Sequence, residues 1–360
     1  MNGLIAFLLV LAALGLLDQL LGGRMGLAEP FGRGVDSMGR LAISLVGLYC
    51  LGITAVRGNT QAVAALAGVL PFDPCVLVGC ILAPDLGGWS IAREMAGNPA
   101  VGRFAGVIVS STLGCALSFV LPLSLAGIGR EEVGAMMRGL VLGIVTLPAA
   151  LLSGGILLGV GWGELARTCA PILLVCAGLC LALWKATGPT TRVLLLLGNG
   201  VRALSFVLFA LVVLGLFLPA WNLSEPGLAE EALVVVLKIT AVVCGAMVLS
   251  RLILAWCQGP IRRLAGWMGV NESAAVGLIL SLATSLSMLP LFSQMDPRGK
   301  AMNAAFSVSG AFALGGQMAF IASVEPGPVV AAFVASKLLG GVCALGAAAL
   351  FYPRVKSEGQ

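Results

Sequence analysis

Apolar residues fill this chain in long unbroken stretches, without the strict alternation of strands or the one-sided stripes of helices that cover a soluble core. Full-length runs occur at about 3–21, 40–56, 104–128, 137–161, 165–184, 201–220, 232–256, 303–322 and 328–351, each close to the twenty or so residues a helix needs to cross a bilayer. Barrel strands would be shorter and would alternate between faces. The pattern therefore predicts an all-α polytopic membrane protein with about nine full crossings. Two further stretches, about 74–97 and 273–296, start in the same way, stop after about ten residues at a polar or glycine-rich break, and resume.

These two stretches echo each other. Leu66-Ala67-Gly68, Val78-Gly79, Ile81-Leu82 and Asn98-Pro99 stand 198 residues before Leu264-Ala265-Gly266, Val276-Gly277, Ile279-Leu280 and Asp296-Pro297. Paired, interrupted apolar segments in corresponding places point to the substrate site of a secondary transporter. Read as re-entrant hairpins, they leave Arg57, Arg93, Arg103 and Arg167 outside with Glu225, Glu230, Glu231 and Glu325, while the other loop lysines and arginines gather on the cytoplasmic side. Five crossings separate the hairpins, so they would enter from opposite faces as an inverted repeat. The expected layout is one membrane domain over 1–360, with repeats at about 60–128 and 260–322, a last helix at 328–351 and a cytoplasmic tail at 353–360. The N-terminus falls outside. The short segments 60–70 and 260–270 are expected along the membrane surface, where Arg262, Arg263 and Trp267 suit the second. The first run lacks a basic n-region and a cleavage site, so it reads as a retained helix.

Composition narrows the chemistry. With 59% hydrophobic and 10% charged residues, the chain has too little polar surface for a soluble globule. It contains no histidine, which removes imidazole relays, Ser-His and Cys-His pairs and His-based zinc sites. Its ten cysteines form no Cys-x-x-Cys pair, and Cys176 and Cys180 are spaced for helix packing. No cofactor is called for, and an enzyme is not the expectation. The charge of +5 is spread along the chain without a cluster that would grip nucleic acid. The sequence leaves the oligomeric state open, a homo-oligomer included, and does not decide between sodium, protons or neither as a coupling ion.

The first break is Ala83-Pro84-Asp85-Leu86-Gly87-Gly88. Pro84 removes a donor and the glycines free the backbone, so unpaired carbonyls and N–H groups are expected here beside a cavity. An ionisable residue at membrane depth is by default a functional-site hypothesis. Asp85 can hold an ammonium, a sodium ion or a proton, or it can cap the half-helix that starts near Gly88. The second break carries Thr284, Ser285 and Ser287, hydroxyls that suit a substrate hydroxyl or that bond back to their own helix. Asn303 and Gln317, about four turns apart, are expected on one face of a single long helix, lining a path or bonding a neighbour. Gln294 to Lys300 reads as a solvated loop of mixed charge that follows the positive-inside rule. Lys337 is too deep in the last span to snorkel and needs a partner, for which Asp18 and Asp85 are the available carboxylates.

Leu82-Ala83-Pro84-Asp85-Leu86-Gly87-Gly88 with Ile91-Ala92-Arg93-Glu94-Met95-Ala96-Gly97 resembles the bacterial ethanolamine permease family of ethanolamine-utilisation operons, EutH. The same is true of Gln294-Met295-Asp296, Arg298-Gly299-Lys300, Asn303, Ala311-Phe312-Ala313-Leu314-Gly315, and Lys337-Leu338 with Gly340-Gly341. The resemblance implies uptake of ethanolamine across the bacterial inner membrane, with Asp85 at the ammonium and Thr284, Ser285 and Ser287 at the alcohol. The chain departs from the family pattern at Pro84, at Thr284-Ser285 and at Gly316-Gln317. A related amine or another small polar solute, such as a nucleoside, and a non-transporting membrane sensor or scaffold are the other readings.

Overall fold

The computed structural model describes residues 3–121, 124, 128–256 and 258–353, so the tail after Pro353 lies outside the described residues. In chain order the helices are α1 (Gly3–Leu20), α2 (Ala28–Gly58), α3 (Thr60–Val69), α4 (Cys75–Ile81), α5 (Gly88–Met95) and α6 (Pro99–Val120). They continue as α7 (Val133–Val145), α8 (Leu147–Leu157), α9 (Trp162–Lys185), α10 (Thr187–Phe217), α11 (Leu228–Trp256) and α12 (Gln258–Met268). The last four are α13 (Glu272–Ser281), α14 (Pro297–Ser309), α15 (Gly316–Val324) and α16 (Gly327–Phe351). No strand occurs among the described residues.

Two groups of helices pack together. One brings α1, α10 and α11 against α2; the other brings α7 and α16 against α14, with α8 against α16. The first hairpin and α6 lie between them, and α15 leans on α11.

Six helices or helix pairs among the described residues are long and apolar enough to cross a membrane: Ala28–Gly58, Pro99–Val120, Val133–Leu157, Trp162–Ala182, Leu228–Ile253 and Gly327–Phe351. The expected spans at 3–21 and 201–220 appear as the shorter apolar helices Ile5–Leu20 and Ala203–Phe217.

The expected single helix over 303–322 is not formed. It breaks between Ser309 and Gly316, where Phe312 takes a left-handed φ of 62° that L-residues avoid at a cost of about 1–2 kcal/mol. Tertiary hydrogen bonds offset that cost: Phe312 N–H donates to Ser281 O at 2.9 Å and Leu314 N–H donates to Leu282 O at 2.9 Å. The break thus satisfies carbonyls left open where α13 ends. A Cβ at Gly315 would run into Ala283 O, so the approach depends on glycine.

Both interrupted segments fold back on themselves. The arms α4 and α5 touch each other, and α13 packs against the 3₁₀ helix Ser285–Gln294 that replaces a second α-helical arm. Their ends are tied. Asp73 accepts from Cys75 N at 3.0 Å and from Gly97 N at 2.9 Å, while Asn98 caps α6 through Ala100 N. In the second copy Asn271 caps α13 through Ala274 N, its side-chain amide donates to Gln294 O at 2.7 Å, and its backbone N–H donates to Asp296 Oδ1 at 3.0 Å. Asp73 and Asn271, like Asn98 and Asp296, are 198 residues apart, so the acid and the amide have traded places across one preserved clasp.

Candidate functional site

The first break forms a 3₁₀ turn, Pro84–Leu86, followed by Gly87 at φ 86°, a backbone conformation that favours glycine. Gly87 is the N-cap of α5 and no side chain caps that helix, so Asp85 is not spent on capping. Ala83, Pro84, Leu86, Gly87 and Gly88 are buried, yet Asp85 keeps accessible surface. Among the described residues its carboxylate has no hydrogen bond from another residue. The turn packs among α2, α6 and α15, so this carboxylate sits among helices rather than in a loop.

The wall opposite is α6, which is wound as a π-helix over Ala105–Gly114 and Ala116–Val120. Such winding is rare and clusters at functional sites. Ser118 Oγ accepts from Ala83 N at 3.2 Å, and Ser110 Oγ lies where a Cβ on Gly88 would be. Ser110 is fully buried with no hydrogen-bond partner among the described residues.

Lys337, 1% exposed, projects from α16 into this region. Its ammonium donates to Ser111 O at 2.7 Å and to Gln317 Oε1 at 3.0 Å, and lies 5.5 Å from the centroid of Phe333. Asp85 and Cys115 are within electrostatic range of it. The expected partner is therefore met indirectly. Lys337 is held by a carbonyl and an amide oxygen, with the Asp85 charge nearby rather than in contact.

Asp18 is placed elsewhere. Its Oδ1 accepts from Met25 N at 2.7 Å and its Oδ2 from Leu27 N and Ala28 N at 2.7 and 2.9 Å, which caps the start of α2. At the second break Ser285 is fully buried and its hydroxyl has no partner among the described residues, as is true of Ser281. Thr284 and Ser287 are half-buried beside it. Asn303 donates to Ala274 O and Gly299 O at 3.0 and 2.9 Å, which fixes it at the crossing of α13 and α14. Because the helix breaks, Asn303 and Gln317 do not share one helix face; only Gln317 joins Lys337.

Two buried polar clusters escape a reading of the residues in order. Glu325, with a side chain 1% exposed, receives Arg93 and Trp89 Nε1 on Oε1 and has Arg103 Nε 3.1 Å from Oε2. This joins α5, α6 and the turn before α16. At the other repeat Arg298 is buried rather than solvated, donating to Met268 O and Ala349 O at 2.9 Å each and to Tyr352 O, so it closes the C-termini of α12 and α16. A cavity of about 430 Å³ opens at the clasp of the first hairpin, between Ala67, Phe72, Asp73, Glu94 and Glu164, and not at its tip.

Broken helices that cross and a carboxylate and a lysine enclosed among apolar spans define a polytopic helical membrane protein with a charged interior site. Comparison with known proteins gives the family. The family described as ethanolamine utilisation protein, EutH, matches residues 1–351, and the chain belongs to it. It is 32% identical over 348 residues to the "Probable ethanolamine permease EutH" of Listeria monocytogenes, covering 96% of this chain and 92% of that one. It is 32% identical to the "Uncharacterized protein YxeR" of Bacillus subtilis, with 100% and 97% covered, and 28% identical to the "Probable ethanolamine permease EutH" of Salmonella typhimurium, with 98% and 96% covered. No solved structure matches the chain.

Proposed function

We propose that this protein is a permease for a small primary amine, ethanolamine foremost, that works by alternating access in a bacterial inner membrane. The observation that carries this reading is the Asp85 carboxylate, enclosed among helices yet hydrogen-bonded by no other described residue. Leaving such a group unpaired costs several kcal/mol, and a cationic ligand removes the cost. The names of the Listeria and Salmonella relatives support the same cargo. Hydroxyls without partners among the described residues, at Ser110, Ser281 and Ser285, supply neutral hydrogen bonds of the kind an alcohol needs.

In this proposal the two hairpins enter from opposite faces, with the N-terminus outside, the C-terminus in the cytoplasm and nine crossings in all. The clasps that bring the ends of each hairpin together support entry and exit on one side. Movement of the first hairpin with α6 against the second hairpin with α14 and α15 would open the site to each side in turn. Uptake of labelled ethanolamine into proteoliposomes tests it: Asp85→Asn should lower uptake about 100-fold or more while the protein still inserts and stays monodisperse. Wild-type uptake by that variant would remove Asp85 from the site, and loss of competition by amines would favour an uncharged solute instead.

A further inference from the structure

Lys337 already has much of what a primary ammonium would look for. Its amine is met by a carbonyl oxygen (Ser111), an amide oxygen (Gln317), an aromatic face (Phe333) and the charge of Asp85. Two of its three donors are spent on neutral oxygens. The Asp85 carboxylate keeps accessible surface and, among the described residues, takes no hydrogen bond from another residue, with the Lys337 charge in electrostatic range.

We infer that Lys337 is a tethered cation that balances Asp85 when the site is empty, so that the unloaded carrier reorients without a coupling ion. The inference rests on Asp85 being the ammonium site. In the unloaded protein Asp85 and Lys337 sum to zero, and no isolated charge has to be carried through the closed state. In the loaded protein the substrate takes the carboxylate while Lys337 stays on Ser111 O and Gln317 Oε1. One positive charge then moves with each substrate, in the direction that a negative-inside potential favours. Without the lysine charge the pattern inverts: the loaded site becomes neutral and the empty site keeps a bare carboxylate. The charged groups facing Lys337 are Asp85 at the first break and the ionisable Cys115 on α6, while α15 contributes the neutral Gln317.

The test compares net uptake with exchange in proteoliposomes, using labelled ethanolamine without or with unlabelled ethanolamine inside and no sodium. Lys337→Gln keeps donors for Ser111 O and Gln317 Oε1 but removes the charge. It should exchange within about threefold of wild type and lose net uptake about tenfold or more, whereas Lys337→Arg keeps both. Lys337→Met, with thermal melting in detergent, serves if the glutamine variant does not fold. Equal loss of uptake and exchange in a folded variant, or loss of neither, overturns the inference. The Asp85→Asn result judges the ammonium site separately, because that variant should lose uptake and exchange together.

Discussion

The two interrupted segments share an outline and differ at the point that matters. Each begins at a capped helix, stops at a break and returns to its own start through an Asp/Asn clasp. Gly79 and Gly277, 198 residues apart, press on Ala105 and Asn303, which are also 198 apart. Asp85, however, has Ala283 at the equivalent place in the second copy, and Gly87 has Ser285. The helix that follows also differs. In the first copy α6 stays continuous by widening into π winding, whereas in the second the chain breaks between α14 and α15 and gives its N–H groups to the hairpin. Two segments can keep one outline while their tips differ, because the clasp and the close approaches use backbone and small residues and leave the tip side chains free to diverge.

That difference sets an order of effects. Asp85→Asn should have the largest, about 100-fold or more on uptake; adding Ala283→Asp should not rescue it, since Lys337, Ser111 and Gln317 stand at the first break. Rescue would make the two tips interchangeable. Gly315→Ala comes next, costing about 1–3 kcal/mol in melting experiments because Ala283 O occupies the place of its Cβ. Asp73→Ala and Asn271→Ala should each cost about 1 kcal/mol and raise hydrogen exchange at their own hairpin, and unequal losses would show that the clasps are not equivalent. Ser285→Ala should leave stability unchanged or slightly higher, since its hydroxyl has no partner among the described residues, and should raise the KM for ethanolamine a few-fold. An unaltered KM would take Ser285 out of the site.

Reading the residues in order carried unevenly across the molecule. Hairpin outlines were legible because a stop at Pro84 or at Thr284-Ser285 interrupts an apolar run, and because the spacing recurs. Asp85 was legible as a charge with no loop to explain it, and Lys337 as a lysine too deep to reach water. The break at Phe312 was not, since Ala311-Phe312-Ala313-Leu314 suits a helix and only the carbonyls of Ser281 and Leu282 make the left-handed turn worthwhile. Arg298 looked like a loop cation and is a buried cap; Asp18 looked like a membrane charge and is a cap as well. Asp73 with Asn271 could have been found from the same 198-residue offset, had amide and acid been treated as equivalent.

Taken alone, the order of residues determines that this chain is helical, that it belongs in a bilayer and that two of its apolar segments are interrupted at a spacing of 198 residues, because hydropathy and breaks are properties of neighbouring residues. Only the tertiary structure decides which charges cap a helix and which are left without a backbone N–H from another residue. A buried charge is defined by what meets it: backbone N–H groups of the next turn and helix, Met25, Leu27 and Ala28, surround Asp18, while Asp85 has within electrostatic range Lys337, which comes from the other end of the chain.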